Sequence, residues 1–118
     1  MKGDSSMKKV EIIIKPERLE ELKNILHECG ITGLMISNVM GYGNQKGFTA
    51  QYRGTTYTVN LLPKIRVQTV TNDATAENII KAVCSKLAKG DVGDGKIFLY
   101  DVADVIRIRT GERGEKAL

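Results

Sequence analysis

The residues best suited to chemistry lie in the last third of the chain. Gly90-Asp91-Val92-Gly93-Asp94-Gly95-Lys96 matches G-x-x-x-x-G-K letter for letter. In a P-loop that spacing lets backbone N–H groups cradle phosphates while the lysine adds charge. Two features argue against a P-loop NTPase. Ile97 stands where a hydroxyl residue would hold magnesium, and the segment runs from a helix into a strand, the reverse of the P-loop order. The local physics still applies. A helix cap followed by a turn needs one or two glycines, and this loop carries three, with two aspartates and a lysine. Arg107 and Arg109 follow about ten residues later. If they lie in a strand they share a face, with Ile106 and Ile108 on the other. Two guanidinium forks roughly 7 Å apart suit an oligophosphate. A solvent-facing edge strand with protective charges would show the same pattern.

Other chemistries find little support. His27 is the single histidine, and Cys29 and Cys84 form no C-x-x-C pair, which speaks against zinc. No Ser or Asp signature stands near a spare histidine or cysteine, which speaks against a triad hydrolase. Both thiols fall in helix-like segments, as expected of reduced cysteines in a cytosolic protein.

These residues need elements to position them. Val10, Ile12 and Ile14 alternate as a strand. Pro16 suits a first helical turn, Leu19, Leu22, Ile25, Leu26 and Cys29 recur at helical spacing, and Gly30 ends the run. Ile31 to Met40 reads as a second strand. Lys64 to Thr71 reads as a third, after a long excursion in which the apolar pattern fades. Asn72 or Asp73 caps a second helix with the stripe Ala76, Ile79, Ile80, Val83 and Leu87, closed by Gly90. Ile97 to Val102 is a fourth strand, and Val105 to Thr110 a short extra one. The order βαββαβ predicts an α+β ferredoxin-like fold, a four-stranded antiparallel sheet with two helices on one face.

The excursion, residues 41–63, far exceeds the ~4–6 residue median connection, and such loops are usually functional or disordered. It holds Tyr42, Gln45, Lys46, Phe48, Tyr52, Arg53 and Tyr57, an adhesive set for a protein partner. A tolerated insertion is the plainer alternative.

The whole chain has 118 residues, 42% hydrophobic and 27% charged, the balance of one globular domain. Residues 1–6 read as a flexible tail without a secretory pattern, and no apolar run approaches the ~20 residues of a membrane span. A net charge of +4 favours an anionic partner without choosing one. Ile12-Ile13-Ile14 and Ile97-Phe98-Leu99-Tyr100 are apolar on both sides of their strands, yet helices can cover only one. A homo-oligomer with sheets packed inward is expected.

Four stretches carry a family likeness: Val10 to Pro16, Gly41-Tyr42-Gly43-Asn44-Gln45-Lys46-Gly47, Tyr52-Arg53-Gly54-Thr55-Thr56-Tyr57, and Gly93 to Phe98 taken with Arg107 to Glu112. With them the chain resembles the PII nitrogen-regulatory signal-transduction proteins, including the ammonium-channel partners, without a gap over residues 7–118. The resemblance implies a cytoplasmic homotrimer that binds ATP or ADP in clefts between subunits. It implies Mg2+ and 2-oxoglutarate beside ATP, no enzymatic turnover, and a T-loop (residues 41–63) that docks on an ammonium channel or a nitrogen-metabolism enzyme or regulator. It reaches the membrane only through a channel partner. In the glycine-rich loop (residues 88–96), Gly93, Asp94, Gly95 and Lys96 would bind nucleotide, joined by Arg107 and Arg109 of a neighbour's C-terminal segment (residues 107–118). Gly41 and Gly43 would allow close approach of the nucleotide. Gln45 would ligate magnesium and, with Lys64, 2-oxoglutarate. Arg53 would enter a channel, and Tyr57 matches a uridylylated tyrosine. Asn44, Thr55-Thr56, Met35 and Gln68 depart from the usual pattern.

Rivals remain on the same fold. An adenylate-only sensor would lack the 2-oxoglutarate response. A small basic nucleic-acid binder of RRM type would stack bases on sheet aromatics, but only 5% of residues are aromatic and no RRM motif is present. An acyl-phosphate hydrolase would use the anion site, but no general base stands out.

Overall fold

The computed structural model describes residues 7–42, 48–52, 55–59, 61–90 and 93–118, with 48–52 and 55–59 as backbone. The tail expected over residues 1–6 lies outside them.

Alternation builds the first strand, β1 (Met7–Ile14), whose Val10, Ile12 and Ile14 are buried. Pro16 opens a single 3-10 turn, and α1 (Leu19–Glu28) follows with Leu22, Ile25 and Leu26 turned into the core. Gly30 stops it at φ +89°, a conformation that glycine adopts without strain. The Ile31 N–H donates back to the Leu26 carbonyl, so the helix exit claims the start of the expected second strand, and β2 runs Met35–Gly41. β5 (Leu62–Asn72) hands directly to α2 (Asp73–Lys86), where the Asn72 side chain accepts from the Thr75 N–H at 2.8 Å. Leu87 still belongs to that helix's end, buried and bonded to the Val83 carbonyl at 2.8 Å. β6 (Lys96–Val102) closes the sheet.

The strand order is β2-β5-β1-β6, each neighbour antiparallel. This is the expected ferredoxin-like arrangement. Ile12, Ile14, Val67, Leu22, Leu26, Ile79 and Val83 form one core between sheet and helices. At roughly 1.5–3 kcal/mol per fully buried large aliphatic side chain, this cluster dominates the folding free energy. The opposite face of the sheet is open: Phe98 and Tyr100 stand 43% and 44% exposed there.

Two further expectations change. The excursion over residues 41–63 contains its own ribbon, β3 (Phe48–Tyr52) paired with β4 (Thr55–Val59). Thr-Thr-Tyr-Thr-Val is rich in β-branched residues, which a pleated strand accommodates well. The extra C-terminal strand, in contrast, does not form. The segment after β6 makes one isolated bridge, Ile106 with Arg113, around a turn. The Arg107 carbonyl accepts from the Thr110 and Gly111 N–H groups at 3.3 and 2.7 Å, and Gly111 reverses the chain at φ +76°. The apolar alternation was real, but the Thr110-Gly111 step bends it into a hairpin-like arm.

Asp104 anchors that arm. It accepts from Arg113 Nε at 2.7 Å, and from the Val105 and Gly114 N–H groups at 2.8 and 3.1 Å. The Arg113 hydrogen bond, then the Val105 N–H, hold its carboxyl below the ordinary 3.8.

Asn72→Ala should lower stability by about 1 kcal/mol in denaturant unfolding, and Asn72→Ser should recover most of it. A depressed folded-state pKa stabilises above the unfolded value and loses its effect as pH falls through the lowered one. The Asp104 anchor is therefore expected intact above pH 3.8 and to loosen below it, read as faster exchange of the Gly114 amide.

Candidate functional site

The open sheet face has one strongly cationic end. Register places Lys96 of β6, Ile13 of β1, Arg66 of β5 and Ser37 of β2 in a single row. Lys64 lies two residues before Arg66 on the same face. Its side chain is buried, and it packs under β2, where a Cβ added to Gly41 would meet Lys64 Cγ at 3.0 Å. Gly41 therefore makes room for a lysine. Arg66 donates from Nε to Ser37 Oγ at 3.2 Å.

The glycine-rich loop delivers its backbone to the same place. Gly95 has φ +112°, and a Cβ there would lie 2.1 Å from the Ile13 carbonyl oxygen. Only glycine permits that approach. Gly93 is buried beside it. A cavity of about 200 Å³ results, walled by Ile13, Lys64, Gly93, Gly95, Lys96 and Phe98. Four residues expected at the site thus meet around one space: Gly93, Gly95, Lys96 and Lys64. Two lysines beside a glycine loop in a confined space favour a compact, multiply charged anion.

Asp94, also expected at the site, makes contacts within the loop. One carboxylate oxygen accepts from the Lys89 and Gly90 N–H groups at 2.8 and 2.9 Å. It closes the loop from inside.

The two arginines are not alternate residues of a strand, because the arm turns between them. Arg107 pairs through Nη1 with Glu112 Oε1 at 2.7 Å. Arg109 is exposed. Neither lines the cavity of its own chain. Gly43, Gln45 and Arg53 lie outside the described residues. Tyr57 is placed only by its backbone, opposite Ala50 in the β3–β4 ribbon. Met35 and Gln68 are register partners and line a separate cavity of about 460 Å³, which Lys9 also borders.

Ile13, Arg66 and Phe98 were not among the expected site residues. Their part depends on register, which brings β1 and β5 beside the loop. No spacing along the chain reveals it. Elsewhere on the open face the Tyr100 hydroxyl donates to Glu11, which with burial and the negative charge raises the phenol pKa, and Gln68 Nε2 donates to Glu11 at 3.4 Å. Lys9 stacks over the Tyr100 ring at 4.4 Å.

Among the described residues no group of three or more His, Cys, Asp or Glu could hold a metal. A cation-lined cavity suits magnesium only when phosphate oxygens bring it. Among the described residues no helix is long and apolar enough to cross a membrane.

Fold and site together define a ferredoxin-like domain with a lysine-lined cavity at one end of its open sheet. Comparison with known proteins narrows this further. The family profile described as Nitrogen regulatory protein P-II matches residues 7–112. The chain is 48% identical over 112 residues to the nitrogen regulatory protein P-II of Rhodospirillum rubrum, covering 95% of this chain and 100% of that one. It is 45% identical to P-II 1 of Escherichia coli K12 over the same coverage. Among solved structures it is similar to B. subtilis GlnK, with a TM-score of 0.78 and 39% identity, covering 97% of this chain and 100% of that one. The B. subtilis GlnK–ATP complex gives 0.77 at 34% identity, with 96% of each chain covered. Arabidopsis thaliana PII bound to citrate gives 0.75 at 36%, covering 98% and 94%. The chain belongs to the nitrogen regulatory protein P-II family.

Gly95→Ala should destabilise the fold by about 2–4 kcal/mol, since it combines a backbone collision with a left-handed φ. Gly90→Ala, at φ +83° in open space, should cost only the conformational part, about 1–2 kcal/mol. Paired urea titrations check the difference.

Proposed function

We propose that this P-II protein is a homotrimeric binding switch that reads ATP against ADP, and 2-oxoglutarate in the presence of Mg-ATP. The observation that carries this reading is the cavity where Lys64, Lys96, Gly93 and Gly95 converge. Lys96 and the glycine-loop backbone would take the phosphates, with Gly41 and Gly43 permitting close approach. Asp94 would act by shaping the loop. Arg107 and Arg109 would reach the phosphates from a neighbouring subunit. The exposed Phe98 and Tyr100 on the uncovered sheet face support such an assembly, because a second copy would bury them.

Magnesium would be held chiefly by phosphate oxygens, with the Gln45 amide oxygen as a hard ligand from the protein. A 2-oxoacid chelates through its keto oxygen and adjacent carboxylate, and Lys64 would pair with its far carboxylate. That the Arabidopsis relative is bound to citrate, another polycarboxylate, supports an acid effector here, and the B. subtilis complex supports ATP. No turnover is needed: each ligand biases the segment of residues 41–63 by its differential affinity for that segment's conformers.

That segment would then dock on a target in the cytoplasm or at an ammonium channel, with Arg53 as the inserted side chain and Tyr57 as a candidate modification site. A nitrogen-assimilation enzyme or regulator is the other target class. Nucleic acid is not a partner on this reading.

Calorimetric titration tests it. Mg-ATP should bind, 2-oxoglutarate should bind only after it, and Lys96→Ala should weaken Mg-ATP at least tenfold. Binding of ATP with no heat from 2-oxoglutarate would leave an adenylate-only sensor. Absence of both would overturn the reading.

A further inference from the structure

The C-terminal arm already holds one of its own anions against Arg107, one of the two arginines assigned to the nucleotide. Arg107 Nη1 meets Glu112 Oε1 at 2.7 Å, and Nη2 donates to the Lys116 and Leu118 carbonyls at 3.1 and 3.3 Å. The Arg107 N–H donates to the Glu112 carbonyl at 2.9 Å as well. A bidentate phosphate contact that uses both terminal nitrogens of the fork finds each of them occupied. Thr110 Oγ1 donates to the same Glu112 oxygen at 3.1 Å, which fixes the carboxylate in place. Arg109, two residues on, is exposed with no partner among the described residues.

We infer that Glu112 is an internal stand-in for phosphate, a latch that keeps Arg107 out of the nucleotide site until a nucleotide displaces it. The inference rests on the nucleotide reading above and adds a regulatory element to it. Arg109 is free to make the first phosphate contact, and Arg107 joins by exchanging its carboxylate for a phosphate oxygen. The exchange is feasible because the pair is partly solvated: the Arg107 and Glu112 side chains are 34% and 43% exposed, and such pairs are weak. A polyphosphate carries more charge than one carboxylate and forms stronger charge-assisted bonds.

The latch couples the site to the end of the arm. When the guanidinium turns away, the Lys116 and Leu118 carbonyls lose their donor. The base of the arm is held separately, by Asp104 on Arg113 at 2.7 Å and by Asn72 on Glu115 at 2.8 Å. Release is therefore confined to the last few residues. By linkage, anything that binds the released segment would tighten nucleotide, and anything that stabilises the latched form would weaken it.

Two measurements on the full chain test the latch. In calorimetry with Mg-ATP, Glu112→Gln should bind three- to tenfold tighter than the wild type. In hydrogen exchange, saturating Mg-ATP should speed exchange at residues 116–118 of the wild type and leave Gly114 protected. Normal wild-type binding with an unchanged or weaker Glu112→Gln overturns the latch alone, and makes Glu112 a buttress for Arg107. Unchanged or slower exchange at 116–118 does the same, and decides the matter if Glu112→Gln does not fold. Failure of both proteins to bind Mg-ATP overturns the nucleotide reading and the latch with it.

Discussion

The contact between Gly95 and the Ile13 carbonyl governs the architecture of the site. With a hypothetical Cβ only 2.1 Å from that oxygen, the loop lies directly against the backbone of the central strand. β6 begins one residue later, and its first residue, Lys96, pairs with Ile13 itself. The close approach therefore sets where the lysine starts, which face it takes, and how deep Gly93 sits. Because side chains alternate along a strand, a register slip of one residue would send Lys96 to the helix side and empty the cavity of one of its cations. The positive φ of Gly95 and the carboxylate brace from Asp94 serve the same end from the loop side.

Gathering Lys64, Arg66 and Lys96 at one end of a sheet has an electrostatic cost, which shared neighbours reduce. Arg66 is tied to Ser37, and the aliphatic part of Lys64 lies under Gly41 with little of the residue exposed. Like charges in so small a space repel, and an anion of several charges converts that repulsion into attraction. The proposed binding of a multiply charged ligand is consistent with this arrangement and with P-II membership.

The fold was legible because its signals are local. The alternation of Val10, Ile12 and Ile14, the Leu22-Ile25-Leu26 stripe, a cap at Asn72 or Asp73 and the Gly30 stop each report on a few adjacent residues, and the structure bears each out, choosing Asn72 for the cap. The glycine-rich loop was legible for the same reason, as three glycines and a lysine within seven positions. What escaped was set by long-range geometry. Ile13 joins the cavity wall, and Arg66 the row beside it, only through strand pairing across more than fifty residues of chain. The C-terminal segment shows the opposite failure. Ile106, Arg107, Ile108 and Arg109 alternate as a strand should, but a strand needs a partner edge. Here the Asp104 bracket and the Gly111 turn fold the segment on itself instead.

That folding back has a consequence for how the site is divided. Lys64, Lys96 and the glycine loop meet within one chain, whereas Arg107 and Arg109 sit on an arm that does not line their own chain's cavity. Ile108, between them, is 98% exposed, and Ile106 is 52% exposed, a poor arrangement for apolar side chains left in water. On the proposed trimeric reading this arm would seat on another subunit, its isoleucines burying there and its guanidiniums reaching that subunit's cavity. On the trimeric reading the complete site then exists only at a subunit boundary. Nucleotide binding and assembly would share one set of contacts, and the state of the arm in one subunit would bear on the occupancy of the next.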